Sequence, residues 1–312
     1  MTRPSALGPG TEFDLIRDLL EWWGTAALGI GDDGALLTVP AGERLVVSTD
    51  IAVEGVHFRR DWLSAREIGW RATTAALSDL AAMGAAPLGV LVALVLTPEW
   101  RERSALRALA DGVADAVREV DTHVLGGDLS AGGALAIAVT VLGSAINPLE
   151  RRGACVGHAV YVTGRLGGPG LALERLSAGS EVPEQARQRF IHPVARIAEG
   201  RWLAAHGASS AIDVSDGLLA DLAHIAQASG VRIEVNLDSL RLIDGAEPVA
   251  ASRSGEEYEL ALTAPTDIAV AEFEAQFACP LTRIGAVHAG PAEIDAYYKG
   301  ARVADRGGYS HF

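Results

Sequence analysis

Lysine is all but missing. Of the 26 basic residues in this 312-residue chain one is a lysine, Lys299, and the other 25 are arginines. No lysine follows a glycine-rich turn, which excludes a P-loop and the strand lysine of eukaryotic-type protein kinases. A Schiff-base enzyme would have to use Lys299. Cysteine is almost as scarce. Cys155 and Cys279 lie far apart, without zinc-ligand spacing, so two reduced thiols in a cytoplasmic protein are expected. Long apolar runs are absent too. "GVLVALVL" (89–96) and "ALAIAVTVLG" (134–143) are strand-sized and far short of a membrane span. The opening "MTRPSALGPG" has no apolar stretch of the kind a secretory leader carries, so no leader is expected. Positive charge is in deficit: the net charge of −14 argues against a nucleic-acid partner, whose phosphates need a basic face.

What is present is ample apolar material, 49% of the chain, enough for a real core in one large domain or, on length, two. Residues 12–23 read as a helix, and "RLVVSTD" (44–50) as a strand with Leu45, Val47 and Thr49 on one face and Val46, Ser48 and Asp50 on the other. Ser64 and Glu67 form a capping box before a helix running to about Met83. A buried strand (89–96), an amphipathic helix (98–120) and strands at "HVLGG" and "ALAIAVTVLG" follow. A turn-rich joint at 147–158 divides the chain into expected domains 1–150 and 151–312. The second half reads as strand (159–164), helices near 170–178 and 193–206, a strand–turn–helix at "SAIDVSDGLLADLAHIAQASG", and strands at "VRIEVNL", "YELALT" and "LTRIGAV". The fold class is α/β or α+β with two domains.

The aspartates carry the chemistry. "GIGDDGALL" sets Asp32 and Asp33 between glycines, with Arg17 and Arg44 the nearest basic residues. Ile68, Ala72, Ala75 and Asp79 fall at spacings of four, three and four, on one apolar helical stripe. A carboxylate there costs on the order of several kcal/mol unless a cation or metal pairs with it, although a frayed helix end before Gly84 and Pro87 is the ordinary alternative. Asp50 ends a strand, where open sheets place ligands, or it simply forms a turn. In "LGGDLS" a strand is followed by two glycines and Asp128. In "AIDVSDG" Asp213 interrupts an apolar strand, while Asp216 could be a helix N-cap. "SGEEYEL" puts Glu256 and Glu257 in what could be a solvated turn. Together these segments repeat one pattern, an aspartate among small residues at the end of an apolar element. An oxygen-only donor set of that kind suits Mg²⁺, which in turn lets an acidic pocket hold phosphate.

Taken in order, "EFDLI", "GIGDDGALL", "STDIAVEGVHF", "LSDLAAMGA", "LGGDLS", "AIDVSDGLLADL", "GEEYEL" and "GGYSHF" resemble the bacterial thiamine-monophosphate kinases over nearly the whole chain. The wider superfamily takes in aminoimidazole ribonucleotide synthetase, selenophosphate synthetase and a hydrogenase-maturation dehydratase. The resemblance implies an aminoimidazole ribonucleotide synthetase-like fold, with N-terminal domains paired in a homodimer and a C-terminal domain closing the cleft over ATP and several Mg²⁺ ions. It also implies transfer of the γ-phosphoryl of ATP to thiamine monophosphate. By match of motif, Asp33, Ser48, Thr49, Asp50, Asp79, Asp128, Asp213 and Asp216 would carry the metals. Gly127, Asp128, Arg151 and Ser215 would contact ATP, and His57, Glu256 and Tyr309 the thiamine phosphate. Ile51, Ala76, Leu129 and Glu257 depart from the family's usual residues.

Because the acceptor is already a phosphate oxyanion, direct in-line transfer is expected and no general base is assigned. The alternatives are a sister ATP-dependent synthetase on the same fold or a non-catalytic nucleotide and Mg²⁺ sensor. A selenide enzyme is disfavoured because no reactive cysteine stands in a glycine-rich N-terminal stretch.

Overall fold

A computed structural model describes residues 10–304 and 307–309. The chain forms two compact units, the first made of residues up to Leu80 with Ala86–Ile146, the second of Ala81–Ala85 with residues from Asn147 onward.

In the first unit, strands β1 (Arg44–Val53), β2 (Ala86–Leu96), β3 (Val124–Ala131) and β4 (Ala136–Ala145) form one sheet in the order β1-β4-β2-β3. All neighbours are antiparallel except β2 and β3. Helices α1 (Thr11–Trp23), α2 (Ala65–Ala82) and α3 (Arg103–Glu119) accompany it. The capping box starts α2 as expected: the Ser64 amide donates to Glu67, and the Glu67 amide donates back to the Ser64 hydroxyl. Helices α2 and α3 cross closely, because Gly69 and Gly112 each leave room for the other helix's backbone.

Strand alternation divides the sheet. Val46, Val139, Val141, Val90 and Val92 are buried on the helix-facing side. Leu45, Val47 and Ile51 alternate to the other side and are 50–56% exposed. The strand at "HVLGG" does not stop at Gly127 but continues to Ala131, so Asp128 lies within β3 rather than in a turn after it. A Cβ on Gly127 would stand 1.8 Å from the Val92 carbonyl oxygen, so only glycine lets β3 lie this close to β2.

The second unit holds a seven-stranded sheet in the order β11-β10-β7-β9-β5-β8-β6. Its strands are β5 (Ala159–Thr163), β6 (Ser210–Asp213), β7 (Arg232–Asn236), β8 (Leu260–Ala264), β9 (Leu281–His288), β10 (Ile294–Tyr298) and β11 (Ala301–Arg302). Only β7 and β10 pair in parallel. Helix α7 (Leu218–Ser229) lays Leu218, Leu219, Leu222 and Ile225 into one core with Val160 and Val162 of β5 and Ile233 and Val235 of β7. Helices α4 (Gly168–Ser177), α5 (Glu184–Ile191), α6 (Ile197–Ala205), the short α8 (Pro248–Ala251) and α9 (Val270–Phe277) complete the unit. Trp202 of α6 stacks on His206 and meets Phe273 and Phe277 of α9 edge-on. No helix among the described residues is long and apolar enough to cross a membrane.

Candidate functional site

In the first unit, helix α2 and the edge strand β1 bring three of the expected side chains together. The period of α2 turns Asp79 toward the sheet, and alternation in β1 turns Ser48 and Asp50 toward the helix. The Ser48 hydroxyl donates to Asp79 Oδ2 at 2.5 Å. Asp50 keeps an exposed edge, but burial of its carboxyl and then repulsion from Asp79 push it up to about 6. Two carboxylates and a hydroxyl around one spot make a hard, all-oxygen donor set.

The other residues of this unit stand apart from that trio. Thr49 points to the opposite side of β1, where its hydroxyl meets that of Thr140 at 3.0 Å, leaving its main chain as the part nearest Ser48 and Asp50. Asp33 sits in an exposed loop whose turn is shaped by Asp32, the Asp32 carboxylate accepting from the Asp33 amide at 3.0 Å. Gly127 and Asp128 lie on β3, at the far edge of the sheet from β1. Gly127 shares a row with Val92, Val139 and Asp50, with two strands between, a span of about 14 Å. Asp128 falls in the next row, with Ala93, Ala138 and Ile51, on the open side of the sheet. His57 closes a tight turn after β1. Its Nδ1 accepts from the Val53 amide at 3.1 Å, so in the neutral ring the proton is on Nε2.

In the second unit the loop Val214–Gly217, between β6 and α7, is a hub. Asp213 ends β6 and is 5% exposed. Asp216 is not a helix cap: Gly217 occupies that position, and no side chain caps α7 there. The loop's carbonyls hold three other backbone segments. Val214 O accepts from the Tyr258 amide at 2.9 Å, Ser215 O from the Glu256 amide at 2.8 Å, and Asp216 O from the Tyr309 amide at 3.1 Å. Glu256 and Tyr258 adopt left-handed backbone, φ 59° and 51°, as their amides turn onto this loop. The loop thereby gathers Ser215, Asp216, Glu256 and Tyr309. Of "GGYSHF" the last three residues lie outside the described residues.

Arg151 stands elsewhere. Its carbonyl accepts from the Ser229 hydroxyl at 3.2 Å, and that hydroxyl also receives the Gly153 and Ala154 amides. Ser229 is the last residue of α7, eleven residues from Leu218, so Arg151's backbone lies about 16 Å along the helix from the hub. Among the described residues no three histidine, cysteine, aspartate or glutamate side chains gather as a metal-holding group.

Sequence reasoning missed two features of this unit. Asp221, on the first turn of α7, is 2% exposed, and its Oδ2 accepts from the amides of Ser215, Asp216 and Gly217 at 3.0–3.1 Å. Burial pushes its carboxyl up to about 7, against the pull of the Gly217 amide. The signal was an aspartate inside an otherwise apolar helix start, "LLADLAHI". The second feature is a buried ionic network. Glu259 is fully buried, and its carboxylate receives Arg189, the Nε and Nη2 of Arg196 and the Thr163 hydroxyl at 2.6–2.8 Å. Burial alone would raise it, but the two guanidiniums hold it below the usual range. Glu257, two residues earlier, accepts the Gly167 amide at 2.6 Å, and burial pushes it up to about 8 despite Arg189.

Comparison with known proteins covers both units. Residues 31–145 match the model of the AIR synthase related protein N-terminal domain, and residues 156–296 that of its C-terminal domain. The thiamine-monophosphate kinase of Salmonella typhimurium is 36% identical over 306 residues, spanning 91% of each chain. Among solved structures, the thiamine-monophosphate kinase of Stenotrophomonas maltophilia K279a is 36% identical with a TM-score of 0.80, covering 93% of this chain and 96% of that one. A second, AaThiL complexed with AMPPCP and TMP, is 31% identical with a TM-score of 0.76 and covers 96% and 95%.

Proposed function

This chain belongs to the AIR synthase related proteins, among their thiamine-monophosphate kinases, and from that premise we infer its reaction. It transfers the γ-phosphoryl group of ATP to the phosphate of thiamine monophosphate, giving thiamine diphosphate and ADP. The observation that carries this is the end-to-end likeness to AaThiL complexed with AMPPCP and TMP, an ATP analogue and the acceptor.

The acceptor is an oxyanion at neutral pH, so the chain's work is to bring two anions into line rather than to remove a proton. Ser48, Asp50 and Asp79 fit Mg²⁺: their donors are all oxygen, and the Asp50 carboxyl, raised first by burial and then by repulsion from Asp79, is one whose charged form a divalent cation would favour. Asp213 and Asp216 of the second unit offer the same donor type; in the first unit Asp33, the main chain of Thr49 and, from the open side of the sheet, Asp128 are assigned as further metal donors. Bound there, Mg²⁺ supplies positive charge to the phosphate oxygens of ATP. Ser215, Gly127, Asp128 and Arg151 are assigned to the nucleotide. Glu256, Tyr309 and His57 are assigned to thiamine monophosphate, and the half-exposed ring of Tyr309 suits a cationic heterocycle. We assign the chain to a homodimer, supported by the exposed apolar side of the first unit's sheet at Leu45, Val47 and Ile51. Its free thiols and its use of ATP suit the cytoplasm.

The test is a phosphorylation assay with purified protein, ATP and Mg²⁺, offering thiamine monophosphate and free thiamine as separate acceptors. Thiamine diphosphate from the monophosphate alone is expected. Asp50→Asn should lower kcat about 10²–10³-fold while the melting temperature holds. Product from free thiamine only, or from neither acceptor, overturns the reaction; normal kinetics in the Asp50 variant overturn the metal assignment.

A further inference from the structure

We propose that Asp221 is a positioning residue for nucleotide binding: its single oxygen Oδ2, by taking three successive amides of the loop Ser215–Gly217, sets where the Ser215 hydroxyl and the Asp216 carboxylate stand. The proposal rests on the assignment above of Ser215 to ATP and Asp216 to its metal.

Ordinary helix capping does not account for this contact. A cap residue precedes the helix and satisfies its first amides, whereas Gly217 stands at that position and offers no side chain. Asp221 instead reaches backward from inside the helix, and two of the three amides it takes belong to residues upstream of the cap. What it holds is therefore the loop. It is nearly inaccessible, so it touches no substrate and acts only through the backbone it binds.

The opposite side of the same loop is engaged as well. While the amides of residues 215–217 face Asp221, the carbonyls of Val214, Ser215 and Asp216 hold the amides of Tyr258, Glu256 and Tyr309. Gly255 lies against the loop so tightly that a Cβ there would stand 2.6 Å from the Ser215 carbonyl oxygen. A displacement of the loop by loss of the Asp221 contact therefore carries Glu256 and Tyr309 with it. The side-chain length is part of the fit. Asparagine keeps an oxygen at the same reach, whereas glutamate adds a methylene and cannot place an oxygen at the same point without moving the loop.

The experiment compares Asp221→Asn, Asp221→Ala and Asp221→Glu in the full-length protein. It reads melting temperature, binding of Mg²⁺·AMPPCP by calorimetry, and KM and kcat for ATP and thiamine monophosphate. We expect Asp221→Asn to bind the analogue within about threefold of the parent. Asp221→Ala and Asp221→Glu should bind about tenfold or more weakly, with KM for ATP rising more than kcat falls. In a Ser215→Ala background the Asp221→Ala penalty should shrink, because both changes act on one contact. A folded Asp221→Ala that binds the analogue within twofold of the parent overturns the proposal. So does a loss of kcat that merely follows the folded fraction at unchanged KM. If Asp221→Ala does not fold, the pair Asp221→Asn and Asp221→Glu decides, and equal affinity in the two overturns it. A parent chain that binds Mg²⁺·AMPPCP but does not phosphorylate thiamine monophosphate overturns the kinase reading, and the binding arm still tests Asp221. A parent that does not bind the analogue overturns both.

Discussion

Glu257 occupies an unusual position for a glutamate. It is 1% exposed, one carboxylate oxygen accepts the Gly167 amide, and burial raises its pKa from 4.5 to about 8. The folded protein therefore holds this proton up to about pH 8, whereas the unfolded chain releases it near 4.5. Stability from this group is fully present below about pH 4.5, declines as pH rises toward 8, and stays reduced above it. Glu257→Gln, which removes the titration, should flatten that decline. Unfolding free energies of parent and variant from urea titration should nearly coincide at pH 5 and separate in favour of the variant at pH 8.5, by on the order of 3 kcal/mol. Equal pH slopes would show that the proton is not held there. The sequence "SGEEYEL" could not distinguish Glu256 from Glu257, since the amide that meets the Glu257 carboxylate belongs to Gly167, 90 residues earlier. Asp79 was legible for the opposite reason: its neighbours on the stripe are in the same helix, and a period of 3.6 is local information.

At the scale of the element, β3 shows how a glycine sets a strand's course. Beside β2 the Gly127 backbone lies where a side chain would meet the Val92 carbonyl. Gly127→Ala should therefore force β3 away from β2 and cost about 2–3 kcal/mol in a denaturation measurement. A parent-like midpoint would mean that the strand can shift freely. In the sequence alone two glycines read as the end of a strand, because glycine is uncommon inside one. The parallel partner β2, found only in three dimensions, carries β3 on to Ala131. Helices with strong local signals are legible in the sequence: Ser64 and Glu67 mark the start of α2, and the structure closes that capping box. Helix α5, with "EQARQRF" polar on most sides, leaves little signal in the sequence because Ala186, Phe190 and Ile191 give it only a narrow buried edge.

At the scale of the whole molecule, the sheet of the first unit has one side covered by helices and another that exposes Leu45, Val47 and Ile51. An apolar side of this kind is covered in an assembly, and a second copy of the chain is the proposed cover. Val47→Asp should shift the protein from dimer to monomer in light scattering after gel filtration at micromolar concentration. A monomeric parent, or an unaffected dimer, would remove this surface from the assembly. The fold class was legible because both halves alternate apolar strands with helices. The gathering of Ser215, Asp216, Glu256 and Tyr309 was not, since backbone carbonyls and amides do that gathering and every residue type carries them.

The shape of the loop Val214–Gly217 is written in main-chain groups, with Asp221 clasping one flank and three neighbouring amides the other. Side chains at 215 and 216 can therefore be exchanged while the clasp stays shut. This makes the loop a natural place to install new donors when the proposed nucleotide site is redesigned.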